Sequence, residues 1–418
     1  MNPIASAPTR RRWIIPIDGT WADRSLNEST VMSDLASVLE TANRQTVAYF
    51  KGVGTSASVV ENLHGGLTGL GIDHQVLEAF GSLITNWNES DEIVLAGYSR
   101  GAYAATILAD LISRVGIPQD NASAHDLLKK YKCGDLNTKN RCVRASKDFR
   151  CRATSIKALA LFDTVGSLGM PQTGVFNFLT LFSHSKLVDD WVGPLRGVQN
   201  IFHALALHES RGPYVPSIIH LPVDSDCNLD QVWFAGSHHD LGKQDPSSGG
   251  LVDTPLSWMI AKLKGIGIEF NDAKLQDRFP CYLNPAIYQS MGAAGNTRDW
   301  ATWRVHNTYK GFVKLMGYEP RRPGRYLYPT AKTCLSARYK IAGNVKTNES
   351  IHISVRDRIA DPEQSMDVLP GLRFVGAAEG SGRWCNLGSW CSREEQINLP
   401  EASFNSFEAL LQGFELPQ

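Results

Sequence analysis

Short apolar runs alternate with longer stretches of helical period through the first 270 residues of the chain. The runs "WIIPID" (13–18), "TVAYF" (46–50), "IVLA" (93–96), "IKALALFD" (156–163) and "QVWFAG" (231–236) are apolar at most positions, the pattern of strands buried on both faces. Between them, "STVMSDLASVLETA" (29–42), "DHQVLEAFGSLITNW" (73–87), the alanine-rich stretch after Ser99, and "NIFHALALHES" (200–210) read as helices. Strands and helices in turn predict an α/β fold: a mainly parallel sheet with crossover helices on both faces.

The alternation divides the chain. Residues 12–270 form the expected α/β core, interrupted by a lysine- and arginine-rich stretch at 117–153 that reads as an inserted, solvated excursion over the sheet edge. A second interruption, 167–196, carries the apolar segment "GVFNFLTLF" (174–182) and is a candidate lid. From 271 to 418 the regular alternation is lost among tryptophans, prolines and the run "EPRRPGR", and this part reads as an extension packed on the core. No internal repeat is apparent.

In open α/β sheets, ligand chemistry gathers at the C-terminal ends of the strands. Here those ends carry Asp18, Ser99, Asp163 and His238. Ser99 is bracketed by Gly97 and Gly101, the G-x-S-x-G elbow in which a serine sits on a sharp turn between a buried strand and a helix. A serine hydroxyl is a weak nucleophile near neutral pH. It needs a histidine to take its proton and a carboxylate to fix that histidine's tautomer. The order Ser99, Asp163, His238 supplies both, each just after an expected strand.

His239 competes with its neighbour His238, and Asp240 competes with Asp163. His238 is preferred for the proton transfer, and Asp240 is read as ordering the loop. His203 and His208 fall on an expected helix and read as ordinary core or surface histidines. For the oxyanion hole, the backbone N–H of Arg100 is one donor. Gly19 or Thr20, in the loop that Asp18 would hold, is the other. Phe176, Phe178 and Phe182 form an apolar cluster suited to an acyl chain or, equally, to a helix buried in the core.

Composition removes several function classes. Hydrophobic residues make up 43% and charged residues 20% of the 418, ordinary for a soluble globular protein. Lysine plus arginine and aspartate plus glutamate both total 42, so no net charge steers the chain toward nucleic acid or an anionic membrane. The N-terminal apolar run, Trp13 to Ile17, is too short for a signal peptide, and no run of eighteen apolar residues exists. A cytoplasmic protein without stable membrane insertion is expected. The eight cysteines include no C-x-x-C pair, and Cys133, Cys142 and Cys151 are spaced too widely for a zinc knuckle; free thiols, no metal and no cofactor are expected.

Six ordered motifs, "DGTW" (18–21), "GVGT" (52–55), "GYSRGA" (97–102), "FDTVGS" (162–167), "HALALHESR" (203–211) and "WFAGSHHDLG" (233–242), resemble the α/β-hydrolase family that includes the phospholipase effectors of bacterial type VI secretion. The similarity runs from about residue 12 to "NESIHISVRDR" (348–358). It implies carboxylic-ester hydrolysis by a serine, aspartate and histidine triad, which maps onto Ser99, Asp163 and His238. Two positions depart from the family pattern: His208 stands where an aspartate is usual, and Lys243 where a second glycine is usual. Both bear on the substrate and leave the triad intact.

The resulting expectation is a serine hydrolase acting on a small-molecule or lipid ester through an acyl-enzyme. Two other readings stand beside it. The same fold could pass the acyl group to an acceptor other than water or perform a cyclisation in small-molecule metabolism, or it could be a non-catalytic binding module.

Overall fold

The structure is a computed structural model that describes residues 10–19, 29–41, 44–52, 70–136, 139–166, 195, 197–243, 250–279, 303–310, 314, 317–326, 345–360, 372–375, 383–386, 398–403 and 406–411. In chain order its elements are β1 (Arg12–Ile17), α1 (Val31–Val38), β2 (Gln45–Val47), α2 (Leu70–Asn86), β3 (Glu92–Tyr98), α3 (Arg100–Val115), α4 (Asn121–Lys132), α5 (Lys139–Asp148), β4 (Ile156–Phe162), β5 (Asn200–Ala206), β6 (Leu221–Pro222), β7 (Asn228–Phe234), α6 (His238–Gly242), α7 (Asp253–Gly265), α8 (Asp272–Arg278), β8 (Val345–Lys346), β9 (Glu349–His352), α9 (Ile353–Ala360), β10 (Leu372–Val375), β11 (Arg383–Asn386), β12 (Asn398–Ala402) and α10 (Ser406–Leu411).

Among the described residues, ten strands form one sheet in the order β10-β11-β12-β9-β7-β5-β4-β3-β1-β2. From β2 through β12 every neighbouring pair is parallel; β10 and β11 close that edge antiparallel. The fold is therefore α/β, with a mainly parallel sheet.

Both faces of the sheet are covered, which is why its strands lack polar alternation. Along β1, Trp13, Ile15 and Ile17 face a core shared with Phe80 and Leu83 of α2 and Leu108 and Leu111 of α3. Ile14 faces the opposite core, with Met32 and Leu35 of α1 and Leu256 and Met259 of α7. Thr30 starts α1: its hydroxyl accepts from the Ser33 N–H while the Ser33 hydroxyl accepts from the Thr30 N–H. α3 stops at Gly116, which takes φ +89°, a conformation glycine adopts without a Cβ clash.

One expected element is wrong in type. The stretch 200–210 was expected to be a helix; it is β5, paired in parallel with β4 and β7. Ile201, Phe202, Ala204 and Leu205 match a helical spacing, but all are fully or nearly fully buried, and a strand covered on both faces shows no period of two to betray it. Element boundaries also move: β2 is Gln45–Val47 rather than 46–50, and β7 is Asn228–Phe234 rather than 231–236. α1 stops at Val38 because Leu39 is already extended, and α2 begins three residues before the expected Asp73.

Within the basic stretch 117–153, α4 and α5 bury Leu127, Leu128, Cys142 and Ala145 in the α3 side of the core and expose their lysines and arginines, except that Lys132 is partly covered and pairs with Asp73 of α2. After residue 271, β9 pairs with β7 and β12 with β9, so the C-terminal part continues the same sheet.

Candidate active site

The exit of β3 is strained and tightly packed. Ser99 has φ 58° and ψ −122°, and α3 begins at the next residue. Positive φ on a non-glycine residue costs energy and persists only where its surroundings hold it. The surroundings here are backbone at contact distance. A Cβ on Gly97 would lie 2.5 Å from the Ala102 backbone, and one on Gly101 would lie 2.3 Å from the Ile17 carbonyl oxygen. Both positions therefore require glycine. Arg100 opens α3, so its N–H is among the first four amides of the helix, which have no acceptor within it.

Asp163 leaves β4, the strand beside β3, also with positive φ (41°). It has no glycine neighbour, and tertiary hydrogen bonds hold it instead. Its N–H donates to the Ala204 carbonyl (2.7 Å), and its Oδ1 accepts from the Ala206 N–H (2.9 Å). His238 is the first residue of α6, after the exit of β7. The three side chains meet: His238 Nδ1 lies 2.6 Å from Asp163 Oδ2, and His238 Nε2 lies 2.8 Å from Ser99 Oγ. All three are buried. The neighbouring His239 turns toward His306, ring centroids 4.8 Å apart.

Burial alone would raise the Asp163 carboxyl. The Arg321 guanidinium and the hydrogen bond from His238 outweigh it and hold the group at about 2. An ionised Asp163 only accepts, so Nδ1 of His238 carries its proton and Nε2 offers a lone pair to the Ser99 hydroxyl.

Two tyrosine rings pack on the imidazole. Tyr98 stacks on it (4.9 Å) and donates its hydroxyl to the His238 carbonyl (2.9 Å), while Tyr214 meets it edge-on (4.9 Å). Glu209 Oε2 accepts the His238 N–H (3.2 Å). Burial would raise the Glu209 carboxyl, but hydrogen bonds and charge from Arg211 leave it below its ordinary value. Gly242 sits so close to Tyr98 that a Cβ there would overlap the ring, 1.8 Å from Cζ.

The remaining expected residues fall as follows. Asp18 ends β1 and binds its own loop: Oδ1 accepts the Gly19 N–H (2.7 Å), and Oδ2 accepts the hydroxyls of Thr30 and of Tyr49 (2.6 Å). Burial keeps its carboxyl above the ordinary value despite these donors. Gly19 packs on Ser99, since a Cβ there would lie 3.1 Å from Ser99 Cβ. Its N–H is engaged by Asp18, and Thr20 lies outside the described residues.

Asp240 accepts the N–H and hydroxyl of Ser237 (2.7 and 2.8 Å) and bonds His306 Nδ1 (2.6 Å), so it organises the His238 loop. His208 Nδ1 accepts the Gly236 N–H (2.9 Å). The Lys243 backbone bridges Thr30, and its charge acts on Asp18. Phe176, Phe178 and Phe182, and with them nearly all of the candidate lid at 167–196, lie outside the described residues.

Tyr98, Glu209, Tyr214, His306 and Arg321 were not singled out from the sequence. Glu209 lies within the quoted motif "HALALHESR", a signal that could have singled it out. Arg321 has no such local signal.

Residues 11–262 match the family described as "T6SS, Phospholipase effector Tle1-like, catalytic domain". A curated relative, the uncharacterized protein YEL023C of Saccharomyces cerevisiae, is 23% identical over 257 residues; the match covers 53% of this chain and 36% of the yeast protein. The chain thus spans about a third of the length of that relative. Two solved structures are similar at low TM-score. An uncharacterized protein from Pseudomonas aeruginosa has TM-score 0.33 at 14% identity, over 63% of this chain and 47% of that one. The metagenomic carboxyl esterase MGS0156 has TM-score 0.29 at 11% identity, over 61% and 76% respectively. The family match spans more than half of the chain, and the chain belongs to the Tle1-like catalytic-domain family of type VI secretion phospholipase effectors.

Proposed function

We propose that this protein is a serine-dependent hydrolase of carboxylic esters, acting through an acyl-enzyme, with lipid esters as its substrate class. One observation carries the reading: Ser99, strained on its elbow, lies 2.8 Å from an imidazole nitrogen whose partner nitrogen lies 2.6 Å from a buried carboxylate. Family membership supports the lipid ester. Among the described residues no helix is long and apolar enough to cross a membrane. A cytoplasmic location belongs to the same proposal, and fractionation of native cells tests it.

In the proposed mechanism, Ser99 Oγ attacks the ester carbonyl carbon as its proton passes to His238 Nε2. The ionised Asp163 stabilises the imidazolium that forms. The carbonyl oxygen becomes an oxyanion facing the N–H of Arg100. Of the two expected second donors, Thr20 is preferred, because the Gly19 N–H already serves Asp18. Collapse of the tetrahedral species returns the proton to the departing alcohol and leaves Ser99 acylated. Water, deprotonated by the same imidazole, then releases the acid. A preorganised oxyanion donor is worth about 10²–10³ in rate.

A fluorophosphonate probe tests the assignment, because only an activated serine attacks phosphorus rapidly near neutral pH. The expected result is labelling at Ser99 together with hydrolysis of p-nitrophenyl esters, and loss of both in Ser99→Ala and His238→Ala. Undiminished labelling in folded Ser99→Ala would overturn the reading. Acyl transfer is the outcome if adding alcohol acceptors diverts the acyl group from water.

A further inference from the structure

Residues 303–310 and 317–326 lie beyond the family-matched residues 11–262, yet they touch the acid and base side of the site at three places. His306 binds Asp240 through Nδ1 (2.6 Å) and its N–H (3.1 Å). The Thr308 hydroxyl donates to Glu209 (3.2 Å). Arg321 reaches Asp163 with two nitrogens: Nη1 to Oδ1 at 3.2 Å and Nη2 to Oδ2 at 2.9 Å. The backbone docks in the same place, with the Glu319 N–H on the Ser210 carbonyl (2.8 Å) and the Gly212 N–H on the Gly317 carbonyl (3.0 Å).

The Asp163 carboxylate is thereby saturated. Oδ1 accepts from the Ala206 N–H and Arg321, and Oδ2 accepts from His238 and Arg321. An ionised carboxylate offers about four lone-pair sites, so each oxygen is filled and the group has one orientation. Without the guanidinium each oxygen keeps a single donor, and the carboxylate is left buried with the imidazole as its sole side-chain partner. A forked guanidinium matches both oxygens at once; an ammonium is a point charge and does not.

We propose that Arg321 is a positioning residue for ester hydrolysis: its guanidinium clamps both oxygens of Asp163 so that the carboxylate stays aimed at His238 Nδ1, and His306, Thr308 and Arg321 complete the active site. The inference rests on the serine-hydrolase reading above.

The test measures the second-order rate of fluorophosphonate labelling at Ser99, normalised by active-site titration and followed across pH, in full-length wild type, Arg321→Met, Arg321→Lys, Asp163→Asn and the double variant Asp163→Asn/Arg321→Met. Arg321→Met is expected to lose about 10- to 100-fold, the range of coupling between contacting groups. Its acidic limb should move to higher pH, because a buried Asp163–His238 pair without the guanidinium takes up a proton more readily. Arg321→Lys should recover part of the rate and hold the limb near that of wild type.

On the Asp163→Asn background the Arg321→Met change should cost less than about twofold, since the group through which Arg321 acts is already neutral. Removing one member of a buried ion pair can prevent folding, whereas the double variant buries no unpaired charge and Arg321→Lys keeps the pair. Those two variants carry the test if Arg321→Met does not fold. An unchanged pH profile, or the same loss from Arg321→Met on both backgrounds, would overturn the clamp and leave the triad standing. Failure of wild type to label at Ser99, or full activity in folded Asp163→Asn, would overturn the serine-hydrolase reading itself.

Discussion

The elbow and the acid–base rim are two halves of one site, built by opposite means. The elbow is local: residues 92–102 contain the strand, the strained serine, both required glycines and the helix start. The rim draws on well-separated parts of the chain: Asp163, residues 203–211, residues 236–242, and His306, Thr308 and Arg321. Each half holds a non-glycine residue at positive φ, Ser99 at 58° and Asp163 at 41°. Beside Ser99, missing side chains let backbone close in. Beside Asp163, donors from distant segments hold the residue in place. Strain is stored in both, but in the elbow a short motif records it, and in the rim only the tertiary structure does.

The largest effects sharpen the contrast directly. Ser99→Ala removes the nucleophile and should reduce kcat by about a millionfold if the triad acts as a unit. Asp163→Asn keeps the side-chain shape but permits the wrong imidazole tautomer, and should cost about ten-thousandfold. Asp240 is as buried as Asp163 and lies only two residues from His238 in sequence, yet it binds Ser237 and His306 and not the imidazole. Asp240→Asn should therefore cost less than about a hundredfold, as loss of a loop tie rather than of the tautomer lock. Steady-state kinetics on one p-nitrophenyl ester ranks the three. A folded Asp240→Asn more impaired than Asp163→Asn would exchange the roles of the two carboxylates.

The same contrast explains what could be read from the chain before folding. Ser99, Asp163 and His238 each follow an apolar strand, and a strand end in a parallel sheet is where a polar residue meets the ligand side. Their positions were therefore legible from short windows. Arg321 was not. It lies in "EPRRPGR", a polar, proline- and glycine-rich run, and nothing local separates it from Arg322 and Arg325. Arg321 is buried on Asp163, whereas Arg322 and Arg325 remain at the surface or only partly covered. The strand β5 failed for a related reason: its identity comes from β4 and β7 on either side, and its own sequence fits a helix equally well.

Acid should attack the rim before the elbow. His203, on β5, is fully buried: its Nε2 accepts the Thr164 N–H (3.2 Å), one residue past Asp163, and its Nδ1 faces Gln231 Oε1 (3.1 Å). Burial lowers its pKa from 6.5 to about 4, only partly offset by the Gln231 hydrogen bond. A histidine depressed in the folded state is protonated first in the unfolded chain. Its contribution to stability is complete above about pH 6.5 and is lost as pH falls toward 4. The shift corresponds to a loss on the order of 3 kcal/mol over that window. Urea unfolding of wild type and His203→Gln at several pH values checks it. The variant should start less stable near neutrality and lose less on acidification; parallel pH dependences would show that His203 takes up its proton at the same pH in both states.

Tyr98 joins the two halves beside the Ser99–His238 contact, and it gives the smallest effect. It is the last residue of β3, so it belongs to the elbow by chain, but its ring covers the His238 imidazole and its hydroxyl donates to the His238 carbonyl at 2.9 Å. Burial, reinforced by the charge of Asp163, keeps its phenol protonated far above the ordinary range, so the hydrogen bond persists at every working pH. Gly242 is a glycine because this ring occupies the space a Cβ would need. Tyr98→Phe keeps the ring stack and leaves the His238 carbonyl without this donor. One such buried bond is worth about 1 kcal/mol, so stability should fall by about that amount. If the bond also sets the height of the imidazole over Ser99, kcat/KM should fall about fivefold with KM unchanged, the signature of an interaction that matters in the transition state. Loss of stability with kcat/KM intact would mean that the elbow and the rim are coupled through the ring stack and the triad alone, and that the phenol serves only to anchor the loop.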